Sequence, residues 1–238
     1  MARTSTRMLV AGATAVYRPL FRRAARQVLE GRLLDPDRPR EGRWLRADVD
    51  AWLDAVWERV PALLPEARLD ELPTLGNRHN VLLAVMTTAA YQAMVARGVE
   101  RAYAMELVGD VGWKIYAGML GVASLPARLL HRDPAARMER TLRLLMRFPF
   151  SAPGRPGYEV EAWSEDDRFH THWTHCPPQS FVRSVVERRG DGGELEAFRR
   201  SWCRYDWAGA DLLAGDGRRG HYARPHTLSH GDPVCDMC

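Results

Sequence analysis

Cysteine is absent from the first 175 residues, and lysine is nearly absent throughout: Cys176, Cys203, Cys235 and Cys238 all lie in the last 63 residues, and Lys114 is the single lysine among 34 basic residues. No stretch reaches the eighteen uninterrupted apolar residues that a membrane-spanning helix requires. The sequence has no repeat of 20 to 50 residues, no low-complexity tract, no zinc-finger spacing, no recognition-helix signature and no platform of interleaved aromatic and arginine residues. These absences argue against solenoids and against nucleic-acid binding. With 46% hydrophobic and 27% charged residues over 238 positions, the chain has the composition of a folded protein able to bury a core without disulfides.

The formal charge of +4 is unevenly placed. Residues 1–46 carry 11 basic against 4 acidic groups, residues 47–150 carry 12 against 12, and residues 151–238 carry 11 against 14. A basic N-terminal arm of this kind suits peripheral contact with an anionic surface such as a membrane. Its apolar stretch Met8 to Val16 superficially resembles a secretory signal, but it runs on into Tyr17, Pro19, Leu20 and Phe21 at amphipathic spacing. That spacing predicts a helix docked on the rest of the protein. Without an export signal the thiols are read as reduced, and the location as cytoplasmic.

Val49, Trp52, Leu53, Val56, Trp57 and Val60 recur at three and four, predicting a helix over 47–64 with Asp48 or Asp50 at its start. Further helices are expected over 80–97, ended by Gly98, over 99–125, and over 134–147, opened by the Asp133-Pro134 pair. Gly109, Gly112, Gly118 and Gly121 within the third predict either close helix contact or a break near Gly109. The proline- and glycine-rich segment 148–157 reads as a junction. Beyond it, alternation from Tyr158 to Trp163 and from Phe169 to His175 predicts a β-hairpin turning over 164–167. His170, His172 and Thr174 fall on one face of its second strand, and Phe169, Thr171, Trp173 and His175 on the other. Helices over 179–189 and 194–213 and an extended run over 224–238 follow. The expected class is α+β: a basic helical arm (1–46), a helical part (47–150) and an α+β part rich in Cys and His (151–238), the last two packing as one unit.

Six of the eight histidines share the C-terminal part with all four thiols. Three thiols there, Cys176, Cys203 and Cys235, suit either of two chemistries. Thiolates are soft ligands for tetrahedral zinc, although Cys235 and Cys238 form a lone CxxC pair. Alternatively, one thiol is a nucleophile, with Cys176 placed just before a helix whose amide dipoles favour a thiolate. Small buried hydrophobes are the third reading. Cys203 and Asp206, three apart, can face one cavity, where a carboxylate can serve as a general base.

Two motifs carry a resemblance. Cys203, Tyr205 and Asp206 stand as CxYD, and Arg224, Thr227, Leu228, Gly231, Asp232, Cys235 and Asp236 stand as RxxTLxxGDxxCD, preceded by Pro73, Leu75, Gly76, Asn80 and Gly98. From about Leu72 onward the chain resembles the L-2-amino-thiazoline-4-carboxylic acid hydrolase family. It differs in having Met237 where that pattern has an aromatic residue, and in the additional Cys238. The resemblance implies a hydrolase that opens a small cyclic amidine, converting the thiazoline acid to N-carbamoyl-L-cysteine. It carries over Cys176, Cys203, Asp206, Cys235 and Asp236 as candidate catalytic positions. On that reading Asp206 or Asp236 protonates or holds the amidine, and Cys176 or Cys203 attacks or positions water. Arg224 receives the substrate carboxylate by a bidentate contact, and Tyr205 and Thr227 also bind the substrate. The competing class is a non-catalytic module that binds metal or a small ligand, its cysteines structural.

Overall fold

Helices form wherever apolar residues recur at three and four. The computed structural model describes residues 2–165 and 168–238; Met1 and the Asp166–Asp167 part of the expected hairpin turn lie outside the described residues. The elements run α1 (Ala2–Leu29), α2 (Arg46–Ala67), α3 (Leu75–Ala96), α4 (Arg101–Leu130), α5 (Pro134–Arg147), β1 (Glu159–Glu165), β2 (Arg168–His175), α6 (Pro177–Arg189), α7 (Glu194–Phe198), α8 (Tyr205–Ala214) and β3 (Cys235–Met237). The strands form one antiparallel sheet in the order β1-β2-β3, so the class is α+β with a small sheet, as expected. Among the described residues no helix is long and apolar enough to cross a membrane.

Local chemistry fixes the helix ends. The Asp48 carboxylate accepts the Leu45 amide at 3.0 Å at the start of α2, whereas Asp50 is taken by Arg26 at 2.8 Å. Thr74 caps α3 by accepting from the Asn77 amide at 3.1 Å, so that helix starts five residues before the expected Asn80. Asp133 accepts the Ala136 amide at 2.8 Å ahead of Pro134, satisfying a donor that has no partner within the helix. Gly98, at φ 84°, follows the end of α3.

The core is one apolar cluster running through α1 to α4, α6 and α7, with Trp44, Trp52 and Tyr91 among its largest fully buried side chains. Each such side chain contributes about 1.5–3 kcal/mol by leaving water. Trp52 also donates its indole N–H to the Ala90 carbonyl at 3.1 Å, so its polar atom is paired. In α1, Tyr17, Phe21, Ala24, Ala25 and Leu29 are buried while Met8 and Val16 are exposed, which is the face the amphipathic spacing predicts.

Two expectations are corrected. The helix over 99–125 is continuous to Leu130, without a break at Gly109. The alternative, close contact, holds at Gly109 and Gly112 but not at Gly118 and Gly121, which face open space: a Cβ on Gly112 would overlap the Tyr205 hydroxyl, which donates to the Gly109 carbonyl at 2.7 Å. Gly112→Ala is therefore expected to destabilise the protein by about 2 kcal/mol through overpacking, a fall in Tm of roughly 5 °C for a chain of this size. Thermal unfolding followed by circular dichroism measures this, and an unchanged Tm would show that the Tyr205 contact is not tight.

The second correction concerns the segment 194–213. It divides into α7, a π-helical turn at Arg199–Cys203, and α8. The wider turn, which ends on Cys203, changes the helical phase ahead of Tyr205 and Asp206.

The junction packs on the first turn of α3. Asn77 donates to the Ser151 carbonyl at 2.9 Å, and Ser151 and Thr74 share a hydroxyl contact at 3.0 Å. Any Cβ on Gly76 would collide with the Pro149 backbone, so glycine is required for this approach.

Candidate active site

A cavity of about 1070 Å³ lies between α4, α5, α8, the inner face of the sheet and the C-terminal run. Strand alternation decides which sheet residues reach it. Phe169, Thr171 and Trp173 of β2 line it, as do Cys235 and Met237 of β3. His170 and His172 lie on the other face, packed on Trp163 with ring centroids 5.1 and 4.8 Å apart. Asp236, paired in register with His172, is likewise on the outer face. It accepts from the His226 backbone N–H and contacts the His226 ring, both at 2.7 Å, bracing the turn rather than facing the cavity.

Of the expected site residues, Cys176, Cys203, Tyr205, Asp206, Arg224 and Cys235 all line this cavity. Cys176 caps the start of α6. Cys203 ends the π-helical turn, with its sulfur 3.1 Å from the Ser229 hydroxyl. The Cys235 sulfur accepts the Leu228 amide at 3.2 Å and lies 3.4 Å from the Thr227 hydroxyl. Thr227 is buried behind Cys235 and caps the short turn at Leu228–His230. The C-terminal run is tied down from α6, where Gln179 and Arg183 both donate to the Leu228 carbonyl at 2.9 Å.

The polar centre is Asp206. Arg224 donates to its Oδ2 at 2.8 Å and Tyr222 at 3.3 Å, while among the described residues no hydrogen bond reaches its Oδ1. Arg224 is 4% exposed. Its second terminal nitrogen donates to the Cys203 carbonyl at 2.8 Å, and its guanidinium lies 4.6 Å from the centre of the Trp207 ring. Its Nε is buried without a partner. Arg224 is thus committed to holding Asp206 and the backbone of the π-helical turn.

Burial pushes the Asp206 carboxyl up from 3.8 to about 6, against the opposing pull of Arg224 and Tyr222. The thiols respond to the same dry surroundings. Burial raises Cys203 to about 11, raises Cys235, and raises Cys176 further still, each disfavoured additionally by the charge of Asp206. All three are therefore neutral thiols near pH 7, and Asp206 is the group beside them that titrates closest to neutrality. Among the described residues no group of three or more His, Cys, Asp and Glu side chains is placed to hold a metal ion, so Cys176, Cys203 and Cys235 do not form a zinc cage.

An aromatic wall completes this end. Tyr205 stacks on Tyr116 at 5.5 Å, and Tyr158 packs edge-on to Phe150 and Trp173 while its hydroxyl accepts from Asn80 at 3.0 Å. Sequence reasoning did not single out Tyr116, Tyr222 or Gln179 for the site. Tyr222 stands two before Arg224, a spacing that puts both on one side of an extended chain. Tyr116 is four after Gly112, one helical turn along. His175, next to Cys176, points away, between the Gly157 carbonyl at 2.6 Å and the Ser180 hydroxyl at 3.0 Å. Comparison with protein-family models, with curated proteins and with solved structures finds no match to this chain.

Proposed function

We propose that the chain is a hydrolase that opens a cyclic amidine-type ring, such as that of L-2-amino-thiazoline-4-carboxylate, with Asp206 as general base. The observation that carries this reading is a carboxylate lining a large cavity, one oxygen held by Arg224 and Tyr222 and the other, among the described residues, without a hydrogen bond, titrating near pH 6. A base poised near the working pH combines the correct protonation state with useful driving force. The anionic carboxylate also complements the positive charge of a protonated amidine.

The oxygen of a water molecule bonds to the carbon of the ring-protonated amidine while the carbon–nitrogen π pair moves onto the ring nitrogen, which already carries its proton, and Asp206 takes one proton of the water. The carbon–sulfur bond then breaks as the new hydroxyl becomes a carbonyl, its proton passing to the departing sulfur. Asp206 releases its proton to solvent, and the products are a carbamoyl nitrogen and a free thiol. Arg224 is a positioning residue that aims the carboxylate. Tyr222 supports it, and the neutral thiols of Cys176, Cys203 and Cys235 wall the site.

Incubating the protein with L-2-amino-thiazoline-4-carboxylate and titrating released thiol with a disulfide reagent tests this reading. Ring opening is expected, and Cys203→Ser and Cys176→Ser are each expected to retain activity within about tenfold, because water rather than sulfur attacks. Loss of more than about 100-fold in a serine variant that keeps its fold would move the nucleophile to sulfur. Absence of ring opening on cyclic amidines altogether would favour the ligand-binding reading.

A further inference from the structure

The cavity is far larger than one five-membered ring. At about 1070 Å³ it is at the upper end of pockets that enclose drug-sized ligands. From Asp206 it extends along α5, where Met138, Leu142, Leu145 and Met146 line it, opposite Met119 and Ala123 of α4 and Phe169 of β2. The helix α5 is amphipathic, with Arg137, Arg140, Arg143 and Arg147 on its other positions. Thr141 is its one buried residue, and none of its side chains belongs to or packs on the core cluster. Its apolar face thus covers the cavity instead of the core. An amphipathic helix needs an apolar partner for such a face, and apolar walls around a void give up contacts that an apolar occupant would restore.

The wall is also adaptable. Met119, Met138, Met146 and Met237 all line the cavity, and unbranched thioether side chains conform to a flexible chain. Charged groups that line this arm are engaged by protein partners: Asp133 accepts the Ala136 amide and Glu139 is tied to Arg143 and Ser164, while the Arg143 guanidinium lies over the Phe169 ring at 5.1 Å. At the polar end both terminal nitrogens of Arg224 are engaged, so the position of the ring carboxyl is the natural point from which a substrate extends.

We propose that the substrate is a head-and-tail molecule, a cyclic amidine ring at Asp206 bearing a long apolar arm that lies along α5. This inference rests on the hydrolase reading for the head alone; the arm site stands on the cavity itself. The test uses the ethyl, hexyl and decyl amides of 2-amino-thiazoline-4-carboxylic acid, assayed for released thiol and, separately, for binding by calorimetry. The kcat/KM is expected to rise at least 100-fold from ethyl to decyl, since each buried methylene adds about 0.8 kcal/mol, near fourfold. Leu142→Trp and, independently, Ala123→Phe are expected to abolish the gain for decyl while leaving the ethyl amide within about threefold.

Equal turnover of all three amides would overturn the arm site and leave the hydrolase reading standing. Chain-length-dependent binding of the amides with ring opening of neither the amides nor the free acid would support the arm site and overturn the hydrolase reading. Neither binding nor turnover of any amide would overturn the arm site, and with no ring opening of the free acid either it would overturn both.

Discussion

Asp206→Asn is expected to lower kcat for ring opening by about 10²–10⁴, the range that a positioned general base supplies, while the protein stays folded. Asparagine keeps an oxygen that can accept from Arg224, so the 2.8 Å contact that holds the side chain has a successor. It removes the free carboxylate oxygen, which is the one feature the proposed step needs. KM is expected to change less than kcat, because in the proposed step the base acts on the water, while Tyr116, Tyr158 and Tyr205 also line the cavity and remain to hold the head. Steady-state kinetics with a circular-dichroism control measures this. A variant within threefold of the parent would remove Asp206 from the chemistry.

Arg224→Ala is expected to have the largest effect on stability, about 3 kcal/mol, because removing one partner of a buried pair leaves the other charge uncompensated. The low end of the range applies because Asp206 opens partly onto the cavity whereas Arg224 is 4% exposed. The same variant loses the bond to the Cys203 carbonyl and the stack on Trp207, loosening the π-helical turn from the C-terminal run. A second readout separates structure from positioning. Arg224 pulls the Asp206 carboxyl down against its burial, so without it the carboxyl titrates above its present value of about 6. The acid limb of kcat/KM should then move to higher pH. Arg224→Lys retains the charge but not the planar fork, and is expected to leave the limb near its original position with a smaller loss of stability. Urea unfolding and the two pH profiles test this, and an unshifted limb in Arg224→Ala would contradict the coupling.

The raised carboxyl also has a consequence for folding. The folded chain binds the Asp206 proton more tightly than the unfolded chain, in which the value is near 3.8. Its contribution is therefore stabilising and fully present below about pH 4, and it is lost as the pH rises through about 6.

The helices were legible where periodicity and a cap agreed. Trp52, Val56 and Val60 mark the buried face of α2, and Asp133 with Pro134 marks the start of α5. What periodicity cannot register is a change of helical phase: nothing in Arg199 to Cys203 announces a π-helical turn, which packs on α4 and is tied by Arg224 through contacts distant in sequence. Glycine spacing was ambiguous for the same reason, since Gly112 is a contact for Tyr205, 93 residues later. In the site, Cys176, Cys203, Asp206, Arg224 and Cys235, each named from the sequence, all line one cavity. Asp236 was separable from them by strand alternation alone, one residue from cavity-facing Cys235 and therefore on the opposite face. The expectation that Arg224 binds a substrate carboxylate placed the residue well but not its partner, because an intramolecular carboxylate already occupies it.

The most direct test of the account is the pH dependence of kcat/KM between pH 4.5 and 8, which reports ionisations of the free protein. The account predicts that activity is low in acid, rises tenfold per unit, levels above a single ionisation near 6, and loses that limb in Asp206→Asn. A limb governed instead by a group titrating near the thiol range, and unaltered in Asp206→Asn, would contradict it.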